Sequence, residues 1–157
     1  MSGARLRRVL LWLAATDATF ERGTAAGGEA LVGRCIHCGS RLAIGIDGEP
    51  LSDASVEHLV PLSHGGPDSL DNCAIACRRC NNDKGVRIDS LRPSDPHAIE
   101  VIARLLARKA ERRREPLAGL SLPPLERPRR GDDSNETDPP RRPVRGRRKA
   151  PKGRRGE

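Results

Sequence analysis

Cys35-Ile-His-Cys38 and Cys77-Arg-Arg-Cys80 decide how this chain is read. Each is a C-x-x-C knuckle. A tight turn carrying two cysteines in this spacing offers two adjacent corners of a tetrahedron, and two such turns complete a four-sulfur shell for zinc. The knuckles are separated by a folded segment, so a metal joining them closes a long loop and contributes folding free energy directly. A redox C-x-x-C or a pair of disulfides competes with this reading, but one redox motif does not account for two matched knuckles. The spacing therefore favours a structural zinc on Cys35, Cys38, Cys77 and Cys80. The fifth cysteine, Cys73, lies beside Ala74, Ile75 and Ala76 and reads as a small buried hydrophobe. With four cysteines to fill the shell, His37 inside the first knuckle is expected at the surface or in a stacking role.

The rest of the composition explains why such a staple is needed. The 157 residues are 36% hydrophobic but only 1% aromatic, with one Trp, one Phe and no Tyr. A core so poor in large side chains buries little area, and small domains of this kind rely on metals or disulfides. The formal net charge is +8, a balance that suits a polyanionic partner, either nucleic acid or an acidic membrane surface. Arg5, Arg7 and Arg8 precede a short apolar run, Val9 to Ala15, that could pass for a signal peptide. The run is too short to span a bilayer, and Asp17, Glu21 and Arg22 follow it in place of a small-x-small cleavage site. Leu6, Val9, Leu10 and Leu13 fit helical spacing instead. A cytoplasmic, reducing location is the expectation, and paired cysteines there favour metal over disulfide.

Working outward, residues 1–22 read as an N-terminal helix and residues 23–33, with Gly23, Gly27, Gly28 and Gly33, as a Gly-rich linker. Residues 34–90 hold all the cysteines and three of the four histidines and form the chemical segment. Residues 91–114 read as a C-terminal helix with Asp95 as N-cap and Pro96 in its first turn. Ile99, Ile102, Ala103, Leu106 and Ala110 make its apolar face. From 115 to 157 the composition turns to Pro, Gly, Arg and Asp, which predicts a disordered basic tail. Arg141 to Arg155 contains nine Arg or Lys and no acid.

Between the knuckles, Val56, Leu59 and Val60 suggest a strand ending at Pro61. Gly65-Gly66-Pro67 is a loop, Ala74 to Ala76 a second strand, and Arg78 to Lys84 a helix stopped by Gly85. Glu57 and His58 put an acid next to an imidazole. Neighbours on a regular strand point to opposite faces, so one site could use both only at a strand end or bulge, or from two sides of a substrate. The oxygens of Glu57 and Asn81 are hard donors suited to Mg²⁺ or Mn²⁺, and a neutral His nearby can take a proton from water. Metal-assisted phosphodiester hydrolysis needs such a set, although a buried ion pair or a capping role is an ordinary alternative for Glu57.

The order C-x-x-C, Glu57-His58-x-Val60-Pro61-x-x-x-Gly65-Gly66, Asn72, then C-x-x-C-Asn81-x-x-Lys84-Gly85 resembles the HNH endonuclease family over about residues 34–88. The resemblance implies a small α+β fold, a treble-clef-like ββα-metal module with a structural zinc, here flanked by helices. It implies that Glu57 and Asn81 hold a catalytic divalent ion such as Mg²⁺, that His58 is the general base, and that Asn72 braces the loop positioning it. Glu57 stands where Asp or His is more frequent, and Asn81 replaces the last His of the family's name. Both departures keep oxygen ligands.

The resemblance also implies a metal-dependent endonuclease acting on DNA, with no membrane partner. A zinc-dependent nucleic-acid-binding module that does not cut is the alternative, and a zinc-ribbon adaptor a more distant one. Arg78, Arg79, Lys84, Arg87 and His64 are candidates for contact with nucleic acid, although His64 equally suits plain loop surface. Arg108, Lys109 and Arg112 to Arg114 would extend the basic track, or simply form a solvated helix face. His97 is expected to have no role.

Overall fold

The computed structural model describes residues 3–125. Helix α1 (Gly3–Thr16) buries Val9, Leu10, Leu13 and Ala14, the helical stripe visible in the sequence. The chain then turns into an antiparallel sheet of β1 (Glu21–Ala25), β2 (Gly28–Arg34) and β3 (Arg41–Gly45), in that order. A second sheet pairs β4 (Ala54–His58) with β5 (Cys73–Cys77), also antiparallel, and leads directly into α2 (Arg78–Arg87). Helix α3 (Pro96–Arg112) follows, capped by Asp95, whose side chain accepts from the backbone N–H groups of His97 and Ala98.

The stretch 23–33, expected as a linker, is a β-hairpin. Its glycines serve the hairpin instead of flexibility. Ala25 pairs with Gly28, and the two residues between them, Ala26 and Gly27, both have positive φ, as a tight two-residue hairpin turn demands. At Gly33 a Cβ would lie 2.3 Å from the ring of Phe20. The one Phe of the chain, fully buried, occupies the space that Gly33 leaves open.

A single apolar cluster joins the layers, with Leu10, Leu13, Phe20, Leu31, Ile36, Ile44, Leu59, Ile75 and Leu105 among its members. The side of the β4–β5 pair facing α1 is therefore covered by a helix from outside the segment that holds the cysteines.

Several details differ from the sequence reading. The helix expected over residues 1–22 ends at Thr16, and Glu21 already begins β1. Helix α3 buries Ala98, Val101 and Leu105, whereas Ile99 and Leu106 of the expected apolar face are exposed. Helix α2 continues through Gly85 to Arg87, because a glycine inside a helix costs only about 1 kcal/mol relative to Ala and does not by itself end one. Residues 115–125, expected to be part of a disordered tail, run back along α1. The Leu117 N–H donates to Ala15 O at 3.1 Å and the Trp12 indole N–H to Pro123 O at 2.7 Å. The remainder of the expected tail, including Arg141–Arg155, lies outside the described residues. Among the described residues, no helix is long and apolar enough to cross a membrane.

Candidate functional site

The four knuckle cysteines converge. The sulfurs of Cys35, Cys38, Cys77 and Cys80 all lie within 4.8 Å of one another, and none is in a disulfide. Backbone amides point at them: Cys77 N donates to Cys35 Sγ at 3.2 Å, His37 N to the same sulfur at 3.4 Å, and Cys80 N to Cys77 Sγ at 3.5 Å. Such N–H groups favour sulfur as thiolate. Cys38 is held down to about 6 by the hydroxyl and backbone N–H of Ser40. Burial, then the neighbouring sulfurs of Cys77 and Cys38, push Cys80 up. Four crowded thiols oppose one another's ionisation, and a divalent cation among them removes that opposition. The donor set thus fits a structural zinc.

Helix α3 holds the first knuckle from behind. Arg108 donates to Ile36 O at 2.6 Å and to His37 O at 2.8 Å, and Arg112 to Arg34 O at 3.2 Å. Lys109 donates to the carbonyls of Leu70 and Cys73, and burial lowers its pKa. These groups, expected as an extension of a solvent-facing basic track, are instead committed to backbone carbonyls.

Glu57 and His58 take different partners. Glu57 is 1% exposed. One carboxylate oxygen is 2.9 Å from Lys84 Nζ and the other 3.2 Å from His37 Nε2. Lys84 also donates to His58 O at 2.9 Å and pairs with Asp89 at 2.7 Å. Lys84 therefore does not face a phosphate, as expected from sequence; at 4% exposure it ties α2 to β4. His37, expected at the surface, joins the zinc knuckle to the buried carboxylate.

His58, the last residue of β4, turns its ring to Asp68, with Nε2 3.2 Å from Oδ1. Arg5 of α1 holds the other Asp68 oxygen at 2.6 Å. Arg5 and then His58 keep the Asp68 carboxyl below its ordinary range. The His58 side chain is 22% exposed. The loop after it is braced by Asn72, which accepts from Val60 N at 2.9 Å and donates to Val60 O at 2.8 Å and Pro67 O at 2.9 Å. Gly66 makes that brace possible, since a Cβ there would fall 2.1 Å from Val60 O and 2.8 Å from Asn72 Nδ2.

Asn81 donates from Nδ2 to Ser55 Oγ at 3.1 Å and to Val56 O at 2.9 Å, which leaves its Oδ1 as the acceptor. The oxygens of Glu57 and Asn81 are chemically suited to a hard divalent ion. Glu57 nevertheless engages both oxygens with protein partners, so an ion there must displace Lys84 or His37. Arg78, Arg79 and Arg87 are exposed, Arg78 lying 3.4 Å from Asp53. His64 is partly buried, with Nε2 2.9 Å from Leu91 O. His97 sits in the first turn of α3.

Sequence reasoning passed over three contributors, His37, Asp68 and Arg5. His37 carried a signal, since a knuckle residue beside the ligands is held close to whatever the knuckle packs on. Asp68 and Arg5 carried none, because their meaning depends on α1 folding over the β4–β5 pair.

A strand pair running into a helix, clamped by four cysteines, defines a class. Residues 35–87, about a third of the chain, match the model of the HNH endonuclease family. A particular relative is the type IV methyl-directed restriction enzyme EcoKMcrA of Escherichia coli (strain K12). It is 38% identical over 52 residues, which cover 32% of this chain and 18% of that protein. The chain thus spans less than a fifth of that relative's length. No solved structure matches the chain.

Proposed function

We propose that this chain is a divalent-metal-dependent endonuclease that hydrolyses phosphodiester bonds in DNA, with His58 as general base. The observation carrying this reading is the placement of His58: a partly exposed imidazole at the open end of β4, beside a loop that Asn72 fixes with three hydrogen bonds, inside the segment that matches the HNH family. A neutral imidazole held by a carboxylate has a defined tautomer. With the proton on Nε2 shared with Asp68, the lone pair of Nδ1 takes the proton of an attacking water. Asn72 holds the loop so that the ring does not swing. Glu57 and Asn81 are the residues that would hold the divalent ion, which when bound supplies positive charge for the developing phosphorane and leaving oxygen. Exposed Arg78, Arg79 and Arg87 offer charge to the phosphate backbone, sequence-independent and weakened by salt.

The closed state of Glu57 favours a second reading, a nucleic-acid-binding module that retains the scaffold without cutting. Supercoiled plasmid separates the two. The zinc-loaded chain is incubated with Mg²⁺, Mn²⁺ or a chelator too weak to strip the clamp. Nicked and linear products that require the added ion support the nuclease. Retarded but uncut plasmid under every condition supports the binding module.

A further inference from the structure

Across the β4–β5 pair, His58 stands directly opposite Cys73. Residues opposite one another in an antiparallel pair have their side chains on the same face, with Cβ atoms about 5 Å apart. Asp68, from the loop between the strands, reaches the same point. The ring nitrogen of His58, a carboxylate oxygen of Asp68 and the sulfur of Cys73 all lie within 4.8 Å of one another. The His58–Asp68 separation is 3.2 Å, close to the edge of about 3.3 Å of a tetrahedron with ligand bonds of 2.0 Å.

We propose that His58, Asp68 and Cys73 form a second, transition-metal site, distinct from the four-cysteine clamp, and that its occupation silences the nuclease. Imidazole nitrogen, carboxylate and thiolate are together a borderline donor set, suited to Zn²⁺ or Co²⁺ and poorly suited to Mg²⁺. Three protein ligands leave a fourth corner for water. Asp68 and Cys73, two of the three ligands, also line a cleft with Arg5, Val9 and Leu70. Arg5 remains on the second oxygen of Asp68 and orients the first. Binding the ion replaces the Cys73 thiol proton, which leaves to solvent. It also occupies Nε2 of His58, so that the remaining ring proton sits on Nδ1 and no lone pair is left for water. The silencing rests on the reading of His58 as general base; the binding does not.

The site is tested by adding Co²⁺ to the full-length chain whose clamp is already loaded with zinc. A thiolate-to-cobalt charge-transfer band is expected, saturating at one further equivalent, absent in Cys73→Ser and weakened at least about tenfold in apparent affinity in Asp68→Asn, since even outer-shell changes cost that much. Asp68 is exposed, so its variant remains informative if Cys73→Ser folds poorly. No band in the wild type, or a band that persists in Cys73→Ser because cobalt has entered the clamp, overturns the proposal. In the plasmid assay with Mg²⁺, added Zn²⁺ should stop the wild type at concentrations about tenfold below those stopping Cys73→Ala, which removes a ligand of the second site and no group of the hydrolysis machinery. Equal sensitivity overturns the silencing. If no plasmid is cut at all, the base assignment fails while the cobalt band still decides the site.

Discussion

The clamp and the edge formed by Glu57 and His58 lie towards opposite ends of one strand pair and were built by different rules. In the clamp, four like donors from two knuckles converge within 4.8 Å, with local amides aimed at the sulfurs. At the edge, two adjacent residues diverge: Glu57 goes inward to Lys84 and His37, and His58 goes to Asp68. A knuckle carries its geometry within its own turn. An adjacent pair on a strand does not, because its meaning is set by whatever packs on either face.

The largest expected difference concerns the clamp. Cys80→Ser, or a chelator strong enough to remove zinc, should abolish the cooperative thermal transition seen by circular dichroism, since structural zinc in small modules contributes on the order of 10 kcal/mol. An unchanged melt would mean that the apolar cluster suffices alone. Next comes the buried pair. Lys84→Met leaves the Glu57 carboxylate without its main partner, and urea unfolding should show a loss of about 3–5 kcal/mol. Replacing both, as Glu57→Gln with Lys84→Met, should recover much of it.

Asn72→Ala should cost about 2–4 kcal/mol, because it removes three part-buried hydrogen bonds and leaves the Val60 N–H and the Val60 and Pro67 carbonyls without their partner. Its cleavage rate should fall further than stability explains, because the loop beside His58 loses its brace. A smaller effect belongs to Cys73. Burial raises this thiol from 9.0 to about 11, so the folded state keeps a proton that the unfolded state loses. The associated stability is complete below pH 9 and declines as pH rises towards 11, by about 2–3 kcal/mol. Unfolding midpoints at pH 8 and 10.5 should differ more for the wild type than for Cys73→Ala, both measured with the four-cysteine clamp loaded and no free zinc.

How much of this was legible follows the same division. The knuckles, the two strands around Val56 and Ile75 and the helix after Cys77 could be read from spacing, since each is a local pattern. The hairpin at 23–33 could not. Its glycines look like linker composition until Phe20 is known to fill the place of a side chain at Gly33. The basic residues of α3 looked like a solvated face because charge alone does not reveal that backbone carbonyls of the first knuckle lie within their reach. For Glu57, the sequence left a metal ligand and a buried ion pair both open. The fold displays the ion pair with Lys84, three positions along the helix from Asn81, a partner that only the packing of α2 on β4 reveals.

His58 carries the proposed chemistry, and the most direct measurement compares its alanine variant with the wild type on supercoiled plasmid at matched zinc content and saturating Mg²⁺. Loss of a general base predicts a rate lower by about two to four orders of magnitude with the melting midpoint and the four-sulfur zinc retained. A variant that cuts as fast as the wild type would place the chemistry elsewhere in the chain.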